Sequence, residues 1–348
     1  MADVKTPESV SVAFAPRTFD AARWLPGGHA QTFAGWWLRN RRPQVETRRH
    51  EVATGDGAVV TLDLARVARF DAVLLVLHGL EGCGSSGYVR EAMRRAASRG
   101  ILVAALNFRS CDALPLRSPR MYNAGDTDDV RAALAWLAER YPHIPRAAIG
   151  FSLGGNLLLK LLGEEGEAAG RLISAAATVS VPFDLAAGAD RMERGVGRIY
   201  GWHFLRSLRR KVRANARVLR NRIDIEAALA ARTLREFDER ATAPLHGYRS
   251  AADYYFRSSS VRFLDRIRVP TLLIQAGDDP LCGPATLPRR LAAENPFLQD
   301  CFVPRGGHVG FIGGSSPSSP RFWAEGEAVR FIAEAVHAQR HLPDPSLS

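Results

Sequence analysis

Ala147-Ala148-Ile149-Gly150-Phe151-Ser152-Leu153-Gly154-Gly155-Asn156 joins an apolar run to the helical pattern Leu157-Leu158-Leu159-Lys160-Leu161-Leu162. The stretch reads as a buried strand, a sharp turn and a helix, with Ser152 at the turn. A serine there needs small neighbours, because the turn is tight and its backbone strained. Gly150 and Gly154 supply that room and leave the hydroxyl exposed above the sheet. Gly-x-Ser-x-Gly alone is a weak pattern. Between a strand and a helix it marks Ser152 as a candidate nucleophile.

The same alternation extends in both directions. Residues 72–77, 101–108, 172–181, 270–275 and 298–303 read as buried strands. Helical patterns occupy 88–99, 126–141, 153–163, 285–293 and 323–338. Continuous Val/Ile/Leu/Ala runs between helices predict an α/β class: a mostly parallel, doubly wound sheet covered on both faces. Asp126 or Thr127 is the expected cap of the helix at 126–141, and Pro142 its stop. Residues 48–53 and 59–66 flank Gly55-Asp56-Gly57 and predict an antiparallel hairpin at the sheet edge. The alternation breaks between 182 and 268, a helical stretch with no convincing strand. The expected organisation is therefore an N-terminal extension (1–45), a core in two parts (46–181 and 269–340) and a helical lid insertion (182–268). Residues 313–320 read as a flexible loop and 341–348 as a disordered tail.

Composition narrows the class. The chain has 348 residues, 46% hydrophobic and 24% charged, as a globular protein should. No run approaches the ~18 apolar residues of a membrane span, and the N-terminus lacks a signal-peptide core, so a cytoplasmic enzyme is expected. Cys83, Cys111, Cys282 and Cys301 are scattered without metal-ligand spacing, and no metal or organic cofactor is expected. The net charge is +11, but only Lys5, Lys160 and Lys211 of the 47 basic residues are lysines. Such a skew is what a GC-rich coding genome produces, and nucleic acid is not an expected partner. The charge does cluster: residues 191–222 hold eleven basic residues against one acid, Glu193. That reads as a solvated helix face, with peripheral contact to an anionic membrane as the functional alternative.

A serine hydroxyl needs an adjacent base, itself oriented by a carboxylate. In strand–turn–helix sites of this kind the partners follow in the order Ser, Asp/Glu, His. After the strand at 270–275 comes Gly277-Asp278-Asp279-Pro280, and after that at 298–303 comes Gly306-Gly307-His308-Val309-Gly310. Asp279, directly before the Pro-led turn, is the expected acid, with Asp278 bracing the turn. His308, in a glycine-rich loop after a late strand, is the expected base. The oxyanion donors are expected to be the N–H groups of Leu153 and of Leu80, in the loop His78-Gly79-Leu80-Glu81-Gly82. His78 reads as a structural imidazole bracing that loop. Phe204, Leu205, Tyr254, Tyr255 and Phe256 are candidates to line an acyl pocket.

Seven segments carry a family resemblance: RWLPGGHAQT at 23–32, HGLEG at 78–82, NFRSC at 107–111, GFSLGGN at 150–156, EFDERATAPLHGY at 236–248, GDDP at 277–280 and GGHVGFIGG at 306–314. Together they resemble the YheT-like branch, the AB hydrolase 4 family, of the α/β-hydrolase superfamily, in family order over about residues 23–338. The segment after Cys111 departs from the family's Gly/Asn-rich turn. The resemblance implies an α/β-hydrolase fold and a triad mapped onto Ser152, Asp279 and His308. It also implies carboxylesterase, lipase or phospholipase activity on small-molecule or lipid esters, or acyl transfer to an alcohol. A non-catalytic protein docking through its basic lid is the alternative of another class. Oligomeric state and the physiological ester are not set by the sequence.

Overall fold

Successive side chains of an extended strand point to opposite faces of its sheet. The computed structural model, which describes residues 14–112 and 114–340, uses that rule to build two cores. In β3 (Ala72–Leu77) all six residues are buried. Val73, Leu75 and Leu77 enter one core with Leu157, Leu158 and Leu161, while Ala72, Leu74 and Val76 enter the other with Met93, Phe331 and Ile332. Each fully buried Val or Leu contributes about 1.5–3 kcal/mol, which is why these runs carry no polar alternation.

The other strands are β1 (Thr47–Ala53), β2 (Val59–Ala65), β4 (Ile101–Asn107), β5 (Arg146–Phe151), β6 (Ala175–Val179), β7 (Thr271–Ala276) and β8 (Leu298–Val303). They form one sheet in the order β1-β2-β4-β3-β5-β6-β7-β8. The hairpin β1–β2 is antiparallel and joins β4 antiparallel. Every pairing from β4 through β3, β5, β6 and β7 to β8 is parallel. The expected α/β architecture and edge hairpin are both present.

Three local expectations are corrected. Thr127 precedes the helix Asp128–Arg140 but makes no cap bond. Its hydroxyl donates to Glu164 (2.7 Å) and Asp126 pairs with Arg120 (2.6 Å), so neither caps that helix, whose first turn carries the acids Asp128 and Asp129. The helix expected at 285–293 is split into a 3-10 turn, Pro284–Thr286, and a helix, Arg289–Glu294. Pro288 lacks an N–H and disfavours helix at Leu287 before it. Residues 313–320 form a hairpin connection, with Ile312–Gly313 paired to Arg321–Phe322. The tail at 341–348 lies outside the described residues, as do residues 1–13 of the extension.

Between β6 and β7 the chain runs through helices. Their short lengths make capping important, and Asp184, Asp224, Thr233 and Ser250 each accept the N–H three residues on. The longest, Gly197–Ala214, buries Tyr200, Leu205, Leu208 and Val212. These helices share a hydrophobic cluster of their own that includes Leu219, Ile223, Leu234 and Phe237. No helix among the described residues is long and apolar enough to cross a membrane.

The N-terminal segment is more than the expected extension. In the structure it contains a helix, Gly27–Asn40, which packs beside the loop that follows β8. Arg39 is buried and forms a two-pronged pair with Glu325 of the last helix, Trp323–Arg340, while its Nη2 donates to the Gly310 carbonyl.

Candidate active site

Ser152 leaves β5 with φ 52° and ψ −121°, a conformation that costs an L-residue about 1–3 kcal/mol. The surrounding glycines make that turn possible. A Cβ on Gly150 would lie 2.5 Å from the Gly155 Cα, and one on Gly154 would lie 2.5 Å from the His78 carbonyl oxygen. The Ser152 N–H donates to Val179 of the neighbouring strand (2.8 Å), and its carbonyl accepts from Asn156 (3.1 Å). The hydroxyl thus stands at the N-terminus of the helix Leu153–Glu165, on the positive end of its dipole.

The loops after β7 and β8 converge on it. His308 Nε2 lies 2.9 Å from Ser152 Oγ, and His308 Nδ1 lies 2.9 Å from Asp279 Oδ2. A carboxylate only accepts, so Nδ1 carries the proton and Nε2 is left to accept from the serine. Asp279 is buried; its Oδ1 accepts the N–H groups of Leu281 and Cys282, and Gln275 Nε2 donates to Oδ2. Asp278 accepts from the Gly307 N–H (2.9 Å), so it braces the loop that carries His308 rather than its own turn as expected.

The loop 78–82 faces the same point. Its N–H groups at Gly79 and Glu81 donate to the Tyr88 and Tyr122 hydroxyls, and that at Gly82 to the Gly79 carbonyl. The Leu80 N–H has no such partner among the described residues, and Leu80 and Leu153 both line the cleft at Ser152. His78 is fully buried. It accepts the Phe108 N–H at Nε2 and donates from Nδ1 to the Gly79 carbonyl. Burial pushes its pKa down to about 3, so it braces the loop as a neutral ring.

That cleft has a free volume of about 710 Å³, including the solvent at its mouth. Phe204, Tyr254 and Tyr255 stand in its walls with Leu185, Met192 and Leu234. Leu205 does not: it packs inside the insertion's own cluster. Phe256 points to solvent under Arg262, because it lies on the opposite face of its helix from Tyr254. One polar pair interrupts the apolar wall. Tyr255 donates to Asp238 (2.6 Å), whose carboxyl is pushed up to about 6 by burial.

Several supporting residues have roles that the sequence does not assign, although Thr32 and Asn156 lie in the segments 23–32 and 150–156 and Lys211 in the basic run. Thr32 accepts the His308 N–H (2.9 Å) and donates to the Gly28 carbonyl. Ser180 Oγ accepts the Val309 N–H (2.8 Å), and Val309 and Phe311 both have positive φ. Asn156 bridges Ala124, Ser258 and Ser260, tying the helix behind Ser152 to the end of the insertion. Lys211 of the basic run reaches Glu81 (2.8 Å) and Cys111 (2.9 Å). Asp279, Cys282 and His308 are the one group among the described residues whose ligand atoms lie within 4.8 Å of one another. They suit a metal poorly: burial holds the Cys282 thiol well above its usual range, hence protonated, and both His308 nitrogens are engaged.

Residues 72–315 match the model of the alpha/beta hydrolase fold. This chain belongs to that family. Within it the chain falls in the YheT-like branch: it is 38% identical to the YheT protein of Escherichia coli over 270 residues, 76% of this chain and 78% of that one. It is also 30% identical to the phospholipase ABHD3 of Mus musculus (86% of this chain, 74% of that one). A monoacylglycerol lipase of Saccharomyces cerevisiae is 32% identical over 73% of this chain and 57% of its own length. The solved Pyrococcus furiosus esterase Pf2001 superposes with a TM-score of 0.52 at 18% identity, over 76% of this chain and 85% of that one. That likeness carries the fold of this α/β-hydrolase and nothing finer.

Proposed function

We propose that the protein is a serine hydrolase that cleaves carboxylic esters through an acyl-enzyme on Ser152. The hydrolase class comes from the family, and relatives named for lipase and phospholipase activity support an ester as the substrate. The observation that carries the mechanism is the unbroken relay Ser152 Oγ, His308 Nε2, His308 Nδ1, Asp279 Oδ2, with both gaps at 2.9 Å.

In this reading Ser152 Oγ attacks the ester carbonyl as His308 Nε2 takes its proton, and Asp279 stabilises the imidazolium. The carbonyl oxygen becomes an oxyanion held by the N–H groups of Leu80 and Leu153. His308 then protonates the leaving alcohol, and water, deprotonated by the same nitrogen, releases the acid and frees the serine. The apolar walls fit a short- to medium-chain acyl group or a lipid acyl chain, with Phe204, Tyr254 and Tyr255 contacting it. If an alcohol replaces water in the second half, the outcome is acyl transfer.

A fluorophosphonate probe should label the wild type and leave Ser152→Ala unlabelled. On p-nitrophenyl esters of increasing chain length, Ser152→Ala should lose activity by on the order of 10⁶, and Asp279→Asn by on the order of 10⁴. An unlabelled, inactive wild type would sink the reading. Ethyl ester formed when ethanol is added would identify the transferase outcome.

A further inference from the structure

Eight large apolar side chains are exposed among the described residues, and six of them lie on two helices: Phe33, Trp36 and Trp37 on Gly27–Asn40, and Val196, Ile199 and Trp202 at or beside the start of Gly197–Ala214. A folded protein scatters such residues singly unless the surface is used. Here they adjoin. The Phe33 ring stacks on Tyr200 with centroids 5.2 Å apart, and His29 Nδ1 lies 3.0 Å from the Tyr200 hydroxyl, so the two outer faces form one surface. Trp36 and Trp202, 69% and 60% exposed, are its most prominent features.

The charge on this surface has one sign. Neither helix contains an acidic residue. Arg209 and Lys211 are used within the fold, on the Ala231 carbonyl and on Glu81, and Arg39 on Glu325. Arg198, Arg206, Arg210 and Arg213 are exposed and pair with no carboxylate among the described residues. Arg206 lies over the Trp202 ring and Arg41 over the Trp37 ring (5.5 and 3.4 Å), so cations rim the aromatic patch. Indole rings beside unpaired arginines match the boundary of an anionic bilayer, where the rings enter the headgroup layer and the guanidinium groups meet lipid phosphates. A second copy of the chain would bring the same unpaired arginines against one another.

We propose that the paired outer faces of Gly27–Asn40 and Gly197–Ala214 dock the protein on an anionic lipid surface. Tyr200 lies beneath this face and packs on Leu281 and Cys282, which also line the cleft at Ser152. Docking would thus set the mouth of the cleft against the bilayer; only this use of the surface rests on the ester-hydrolase reading, since binding itself needs no chemistry at Ser152.

The test measures co-sedimentation of full-length Ser152→Ala protein with vesicles, so that binding and turnover are read separately. Vesicles of equal parts phosphatidylglycerol and phosphatidylcholine should retain the protein, pure phosphatidylcholine should retain it weakly, and added salt should release it. The charge reversal Arg198→Glu/Arg206→Glu/Arg210→Glu should lower affinity on the order of a hundredfold or more. The double variant Trp36→Ser/Trp202→Ser should lower it about tenfold or more. In the Ser152 background the same surface variants should keep the wild-type unfolding midpoint and hydrolysis of a soluble ester. Failure of the parent protein to bind the anionic vesicles, or full binding by both surface variants, would overturn the proposal. So would a dimer in light scattering that dissociates in the tryptophan variant, which would make the face a contact between copies.

Discussion

His78 shows how one side chain can hold a reactive loop by staying uncharged. Its ring must remain neutral to accept the Phe108 N–H, and burial lowers its pKa to about 3 from the usual 6.5. For a base with a depressed folded pKa, the unfolded chain binds the extra proton. The stabilisation is therefore complete above about pH 6.5 and is lost as pH falls toward about 3, at up to about 1.4 kcal/mol per pH unit. Urea midpoints taken between about pH 6 and 4 should fall less steeply in His78→Asn than in wild type. An equal slope would assign the acid sensitivity elsewhere. Ser152, Asp279 and His308 could be read from the sequence because each follows a strand that is itself visible as an apolar run. The roles of Thr32 and Ser180 could not, although Thr32 ends the segment 23–32. Their partners, His308 and Val309, are 276 and 129 residues away, and no local pattern distinguishes a hydroxyl that accepts a remote N–H from one that meets water.

The central strands β3 to β7 are readable because both faces of each are buried, so the hydrophobic run itself is the signal. The helix Gly27–Asn40 lacked that signal. Its inward residues are Gly28, Gln31, Gly35, Leu38 and Arg39, while Phe33, Trp36 and Trp37 face out. Polarity is inverted on most of this element, because apart from Leu38, which joins a small cluster with Ile312 and Phe322, its inner face meets backbone. Gly35 packs against Gly310, and Gln31 exchanges hydrogen bonds with Ile312. The helix therefore works on the loop that carries His308. Thr32→Val should remove the acceptor for the His308 N–H and lower kcat about tenfold with KM little changed, the loss expected for one hydrogen bond. Thr32→Ser should restore it. A change confined to KM, or none, would show that the loop holds its shape unaided.

Across the molecule, three separate segments meet at the glycine loop 306–310: the N-terminal helix, the turn after β7 and the last helix. Arg39 and Glu325 join the first and last of these in a buried pair. Arg39→Met should destabilise the fold by about 3–5 kcal/mol, because Glu325 is left buried without its counter-ion. Arg39→Met/Glu325→Met should recover a large part of that loss in urea unfolding. Equal destabilisation of the single and double variants would assign the cost to packing. The match to the alpha/beta hydrolase model spans 72–315, and Thr32, Arg39 and Glu325 all lie outside it. The portable unit of this hydrolase is thus larger than its signature: a graft or truncation cut at those borders keeps the serine and histidine in sequence, yet discards the clamps that fix where the histidine stands.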